Sequence, residues 1–341
     1  MMTTLYYPLL AHCNFDKNAT LPIVLFEAFI FAGVGASFFI LGKVKDKIWL
    51  RFLVMSVGVL IFELFTSPMW NNYKMGQWAY VYHDVSWMLT IGWTSLILGA
   101  VLLVDKFLEH WKEWQRFGVY LGILALVIII VEMIVVNLGI RSYAPEVLGA
   151  ISGIFILGVP IEVLYYIPVF TGLVIAFYKY WSFVIDDELL IPVKGRKWRR
   201  SLWIAFLGVF LFEVMIEPMV RNEKFPQWSY VFHDISIILL AAWVLIIGVT
   251  AVAIARFFIH YHIIQRFCIA LMITSALVWP LESWLIINGY RVYGETAVKS
   301  YIGFKTPITN LPVEITFAIP FYMALIIAFI RYWETVLDNK L

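Results

Sequence analysis

The sequence predicts an all-α integral membrane protein with about nine transmembrane helices: one N-terminal helix, then two parallel four-helix repeats. Three observations carry this. Of 341 residues, 62% are hydrophobic and only 14% charged, against roughly 25% charged in soluble domains, and mean hydropathy is +0.87. Nine stretches approach the ~20 apolar residues that a bilayer core demands of a helix. The chain also overlays itself when shifted: FELFTSPMW at 62–70 meets FEVMIEPMV at 212–220.

The nine stretches are 21–42, 49–67, 85–104, 118–138, 160–183, 201–217, 235–256, 267–288 and 311–331. Helices are the expected form, because lipid offers backbone groups no hydrogen-bond partner. A further apolar stretch, Val147 to Gly158, is too short to span and carries Gly149, Gly153 and Gly158. It is read as a re-entrant or interfacial segment. The N-terminus lacks a basic region followed by an apolar core, so no cleaved signal peptide is expected.

Basic residues set the orientation. Sixteen fall in one set of loops and ends: Lys43, Lys45, Lys47 and Arg51; Lys106, Lys112 and Arg116; Lys194, Arg196, Lys197, Arg199 and Arg200; Arg256 and Arg266; Arg331 and Lys340. The other set holds eight: Lys17, Lys74, Arg141, Arg221, Lys224, Arg291, Lys299 and Lys305. The richer side is predicted to be cytoplasmic in a cell membrane, with the N-terminus outside and the C-terminus inside.

The duplication extends well beyond one motif. QWAYVYHDVS at 77–86 meets QWSYVFHDIS at 227–236, and Glu132 meets Glu282. Gly139, Arg141 and Tyr143 meet Gly289, Arg291 and Tyr293. At a slightly larger shift, PIE at 160–162 meets PVE at 312–314, and Phe177, Tyr180 and Trp181 meet Phe329, Tyr332 and Trp333. Self-similarity of this density indicates repeats, and an even number of helices per unit makes them parallel. The predicted organisation is 1–48 as arm and first helix, 49–185 as the first repeat, 186–200 as a basic cytoplasmic linker, and 201–341 as the second repeat.

Function classes narrow quickly. Lys plus Arg number 25 against 23 Asp plus Glu, which leaves no basic footprint for nucleic acid. The two cysteines, Cys13 and Cys268, fall at opposite faces and form no metal spacing. The GVG at 33–35 lies inside a helix and is no nucleotide fingerprint.

What stands out is acid in the membrane, where ionisable groups are costly and mark function. The first repeat carries Glu63, Asp84, Glu132 and Glu162; the second carries Glu213, Asp234, Glu282 and Glu314. All eight are placed in the outer half, at similar height, with no Lys or Arg assigned to that depth. Lys179 is nearer the other end. Bare carboxylates in low dielectric tend to protonate. Protonated acids, a metal shared with His83 and His233, or a water-filled proton path would each resolve the cost. The first supplies general acids able to protonate an alkene. Against metal, neighbouring His-Asp side chains leave a helix on different sides, so no metal or cofactor is predicted. Asp84 also suits a helix N-cap. Hydrogen bonding that merely fixes helix packing is the structural alternative for any one acid.

Aromatic residues are abundant: 15 Trp, 18 Tyr and 27 Phe. Trp70, Trp78, Tyr80, Tyr82, Trp228 and Tyr230 cluster in the outer loops, where an interfacial belt is the ordinary role; the alternative is that some of them line a pocket for a carbocation or polyene through cation–π attraction. Trp78, Tyr80, Trp228 and Tyr230, with His83 and His233, are the candidate substrate-binding residues.

Glu132 to Trp181 reads E-x6-G-x-x-x-Y, a glycine-rich connection, then GVPIEVLYYIP; Glu282 to Trp333 repeats it with LPVEITFAIP. This resembles the membrane-embedded lycopene β-cyclases, the small-subunit type found as heterodimers or fused halves. That resemblance implies proton-initiated ring closure at the ends of a linear carotenoid. It maps the family's first acid onto Glu132 and Glu282, and its Pro-x-Glu onto Pro160, Glu162, Pro312 and Glu314. Val163 and Ile315 stand where the family has a second Glu. The pattern of acids is also loosely similar to that of membrane terpene cyclases of fungal meroterpenoid pathways.

The expected function is therefore acid-catalysed cyclisation or isomerisation of an isoprenoid or lipid substrate that enters from the bilayer. A proton-coupled transporter and a non-catalytic pigment- or lipid-binding protein are the alternatives.

Overall fold

A computed structural model describes residues 20–72, 75–186 and 197–339. Cys13, the N-terminal arm and most of the linker lie outside the described residues. Among those described, nine helices are long and apolar enough to cross a membrane. They are α1 (Leu21–Leu41), α2 (Ile48–Thr66), α3 (Trp87–Phe107), α4 (Glu113–Asn137), α5 (Val163–Ile185), α6 (Trp198–Ile216), α7 (Ile237–Phe257), α8 (Ile263–Ile287) and α9 (Val313–Asn339). The chain is an all-α integral membrane protein.

The order of elements from α2 to α5 recurs from α6 to α9, except that the hairpin before α5 is reduced to one bridge, Lys305 with Pro312, before α9. Helices α5 and α9 pack against each other at the centre; α2 packs on α5 and α9, and α6 packs on α9 and α5. Consecutive residues Leu173, Val174, Ile175 and Ala176 are all fully buried, so α5 is enclosed on every side. Close approach depends on two matched glycines. A Cβ on Gly58 would come within 3.0 Å of the Phe177 ring, and one on Gly208 within 3.1 Å of the Phe329 ring. Helix α1 stands outside this arrangement. It rests on α3 and buries only Ile23, Ile30 and Leu41, leaving apolar residues facing outward as a lipid-facing helix requires.

Short elements at the end opposite the basic loops are what position the acids. Helix α2 stops at Pro68, which has no N–H for the carbonyl of Leu64; the Ser67 hydroxyl donates to that carbonyl instead, at 3.3 Å. A single 3-10 turn, Ser67–Met69, leads into strand β1 (Trp70–Asn72). Helix α4 ends at Gly139, whose φ is 64°. The Gly139 N–H bonds Val136 O and the Ile140 N–H bonds Val135 O, a Schellman-type stop for which glycine is the favoured residue. The chain then enters a strand at Arg141–Tyr143 that pairs antiparallel with β1, Asn72 facing Arg141. The second repeat does the same: Val220–Asn222 pairs with Arg291–Tyr293, Asn222 facing Arg291.

The HD pairs are hairpin turns. Tyr82 pairs with Val85 and Phe232 with Ile235, leaving two residues in each loop. His83 and His233 take φ of 46° and 41°, the left-handed position usually held by glycine in a two-residue hairpin. Asp84 is therefore no N-cap. Ser86 occupies that position for α3. Ser236 does so for α7, accepting from the Ile238 N–H.

The glycine-rich stretch after Tyr143 forms the short helix Pro145–Ala150 and a hairpin of Phe155–Ile156 with Val159–Pro160. Helix α5 starts at Val163, three residues beyond the predicted start of that span, because Pro160 is spent in the hairpin.

Candidate functional site

In the first repeat Glu63, Glu132, Arg141 and Tyr143 line one cavity of about 70 Å³. Strand alternation puts Arg141 and Tyr143 on one side, and both reach α4. Arg141 Nη1 donates to Glu132 Oε2 at 3.0 Å, and the Tyr143 hydroxyl donates to Glu132 Oε1 at 3.0 Å. Arg141 Nε donates to Asn72 Oδ1 at 2.9 Å, and its guanidinium lies 5.3 Å from the Trp70 ring centre. Burial first, then the Glu132 charge, pushes the Tyr143 phenol up, so it remains a donor. Glu63 is held differently. Thr90 Oγ1 donates to its Oε2 at 2.5 Å, and among the described residues no Lys or Arg forms an ion pair with it. Trp93, Phe62, Phe170 and Tyr166 complete an aromatic wall.

The second repeat uses equivalent residues with another wiring. Arg291 Nη1 and Nη2 donate to Glu213 Oε1 at 3.2 and 3.3 Å. Its Nε lies 3.1 Å from Glu282 Oε1, an ion pair off the hydrogen-bonding direction. Trp243 Nε1 donates to Glu213 Oε1 at 3.2 Å, and the Tyr293 hydroxyl donates to Glu282. Burial alone would lower the Arg291 pKa, but Glu213 and Glu282 more than offset it and hold the guanidinium firmly charged. A cavity of about 100 Å³ lies beside this cluster, lined by Glu282, Arg291, Glu314 and by Tyr82, Phe65 and Pro68 of the first repeat. Burial and then the Glu314 charge push the Tyr82 phenol up to about 12.

These clusters overturn the expectation that the acids lack cationic neighbours. Glu132, Glu213 and Glu282 are 5%, 2% and 2% exposed, and each faces a buried arginine. Arg141 and Arg291 were counted as loop charges. Their strands instead fold them back over the helix ends. The recurring Gly-x-Arg-x-Tyr was the available signal: a helix stop followed by period-two spacing.

The other predicted site residues lie outside the arginine clusters, although Glu314 lines the second cavity. Glu162 Oε1 accepts the Ser152 N–H at 2.6 Å. Burial would raise its pKa, but that hydrogen bond outweighs it and holds the carboxyl below the usual range, the opposite of a stored proton. Glu314 accepts the Ile302 N–H at 2.6 Å in the matching way. Asp84 and Asp234 lie in the hairpin turns, where their carbonyls accept from Asn72 and Asn222. Tyr80 and Tyr230 donate to the carbonyls of the same asparagines, both at 2.9 Å. These four residues support the arginine–asparagine contact from behind rather than facing a cavity. Trp78 and Trp228 are 53% and 75% exposed; Trp78 stacks on Phe31 of α1. They are surface aromatics. His83 is buried, whereas His233 is half exposed with Nδ1 3.2 Å from Glu217 Oε1. Among the described residues no three His, Cys, Asp or Glu side chains are grouped to hold a metal ion.

No family model, no curated protein and no solved structure matches the chain.

Proposed function

We propose that the protein is an integral-membrane enzyme that performs proton-initiated cyclisation or isomerisation on an isoprenoid chain, with the first repeat's cavity as the reacting site. The observation that carries this reading is Glu63: a buried carboxyl in an aromatic cavity, bonded to a hydroxyl, beside a second carboxyl already neutralised by arginine. Glu63 delivers its proton to a terminal double bond, forming a C–H bond and leaving a carboxylate. The neighbouring carbon becomes cationic and is attacked by a second double bond. Trp93, Phe62 and Phe170 attract that charge through their ring faces. Glu132 takes a proton from the carbon next to the new cation, which restores a double bond. Thr90, in contact with Glu63, supports reprotonation from solvent.

The small cavity suits a chain terminus, with the remainder of an apolar substrate left in the bilayer. The likeness to lycopene β-cyclases supports the same reading through Glu132 and Glu282, the family's first acid, both of which lie in the acid clusters. It receives no such support from Glu162. In this reading the basic loops face the cytoplasm and the acid cavities lie towards the outer leaflet of the cell membrane. Expression in a bacterial host that accumulates a linear carotenoid, followed by chromatography and mass analysis of extracted pigments, tests it. Cyclised or isomerised product with the wild type and about a thousandfold less with Glu63→Gln is the expected result; unchanged pigment with the wild type, or equal conversion by the variant, contradicts it.

A further inference from the structure

The two repeats also differ at their basic ends, far from the acid cavities. In the first repeat this end is filled by a closed ion cluster. Lys179 Nζ lies 2.9 Å from Asp105 Oδ2 and 2.8 Å from Glu113 Oε1. Arg116 pairs with Asp105 at 3.2 Å and with Glu113 at 2.5 Å. The Tyr120 hydroxyl donates to Asp105, and Tyr332 of the other repeat donates to Glu113 at 2.7 Å. Two cations meet two anions.

The second repeat keeps the cations, loses both matching carboxylates and carries one at another position, Glu334, where the first has Ser182. Arg116 matches Arg266, and Lys179 matches Arg331. Asp105, Glu113 and Tyr120 are replaced by Ala255, Ile263 and Ala270. These three substitutions exchange two carboxylates and a phenol for small or apolar side chains. The structure opens a cavity there of about 220 Å³ between α7, α8 and α9, the largest of the three described, with Arg266 and Arg331 among its lining residues. Arg331 pairs with Glu334 at 2.5 Å. Arg266 forms no ion pair among the described residues, whereas Arg116 forms two. The remaining wall is mostly aliphatic and aromatic.

We infer that this cavity binds an anionic amphiphile, a phosphate or carboxylate headgroup carrying an alkyl chain. The headgroup takes the place opposite Arg266 that Glu113 and Asp105 fill opposite Arg116 in the first repeat. The alkyl chain lies along the apolar wall made by Ala255, Ile263 and Ala270. A guanidinium matches such oxygens in a two-pronged geometry, and basic pockets between transmembrane helices are suited to anionic headgroups. The ligand charge completes a cluster that the first repeat completes with its own side chains. This inference stands on the basic-end comparison alone and is independent of the chemistry proposed for Glu63.

The test is native mass spectrometry of the detergent-purified full chain titrated with dioleoyl phosphatidylglycerol, dioleoyl phosphatidylcholine, oleate or inorganic phosphate. The wild type is expected to retain phosphatidylglycerol or oleate at least ~tenfold more tightly than phosphatidylcholine, and to show no binding of inorganic phosphate. Phosphatidylglycerol favoured over oleate identifies a phospholipid headgroup; the reverse identifies a fatty carboxylate. Arg266→Gln should weaken the preferred ligand about tenfold. Ala255→Asp with Ile263→Glu, which rebuilds the first repeat's anions, should abolish binding. Equal retention of phosphatidylglycerol and phosphatidylcholine, equal binding by wild type and Arg266→Gln, or inorganic phosphate binding as tightly as either amphiphile overturns the inference.

Discussion

Two acid clusters built from equivalent residues reach different electrostatic solutions, and one position accounts for the difference. In the first repeat Thr90 holds Glu63 by a hydroxyl, and Arg141 forms its ion pair with Glu132. In the second repeat the matching residue is Leu240. It offers Glu213 nothing, and that carboxylate turns to Arg291 and Trp243. One hydroxyl therefore separates an acid left outside the ion pairing from an acid locked within it. The two repeats share one scaffold and differ in the partners of a single carboxyl.

The largest effect expected from this contrast is on turnover. Glu63→Gln should lower it by about a thousandfold, within the range for loss of a general acid, with the melting transition unchanged because an amide oxygen still accepts from Thr90. Glu213→Gln should keep turnover within a few fold. Product formation in membranes measures both. Equal losses in the two variants would erase the distinction between repeats.

Stability should follow the opposite ranking. Arg291→Gln leaves two buried carboxylates without their cation and should cost about 3–5 kcal/mol. Arg141→Gln breaks one ion pair, that of Glu132, and should cost less. Denaturant melts in matched detergent compare them, and an equal or larger loss in Arg141→Gln would contradict the wiring described.

Helix approach gives a smaller effect that should be the same in both repeats. Gly58→Ala and Gly208→Ala each push a Cβ against a phenylalanine ring, and overpacking of this kind costs about 1–3 kcal/mol. Thermal melts showing one variant harmless and the other severe would mean the two crossings are less alike than their distances.

The smallest effect lies between the repeats. Glu146 Oε1 accepts the Thr296 N–H at 2.5 Å. Burial acts to raise its pKa, but the hydrogen bonds from Thr296 outweigh that and lower it. A carboxyl depressed on folding contributes stability above the ordinary range, near ~4.3, and loses it as pH falls through the folded value. Glu146→Gln should reduce stability by under about 1 kcal/mol at neutral pH. The difference from wild type should fade under acid conditions; a difference that grows with acid would reverse the sign.

The helices were legible in the sequence because lipid allows little else, and an apolar window reads them directly. Their ends were less so. Span 311–331 runs on to Asn339 in α9, since polar residues continue a helix that hydropathy has stopped counting. The acids of both cavities were legible as misplaced charge, but their partners were not. Arg141 and Arg291 sit in three-residue strands too short to carry a periodic signal, and a count of loop cations treats every arginine alike. The HD pair was misread because a residue before an apolar run resembles a cap, whereas the left-handed His83 makes it a turn. Of the outer-loop aromatics, Trp70 and Tyr82 do line the cavities while Trp78 and Trp228 lie at the surface; Trp93 and Phe170, inside the helices, are placed in the wall only by tertiary packing.

The most direct measurement is product mass after turnover in membranes suspended in deuterated water. If Glu63 exchanges its proton with solvent and then delivers it to carbon, each ring closure should place one deuterium in the product, and Glu63→Gln membranes should yield about a thousandfold less of that product. Unlabelled cyclised product from the wild type would show that the initiating proton does not come from an exchangeable carboxyl.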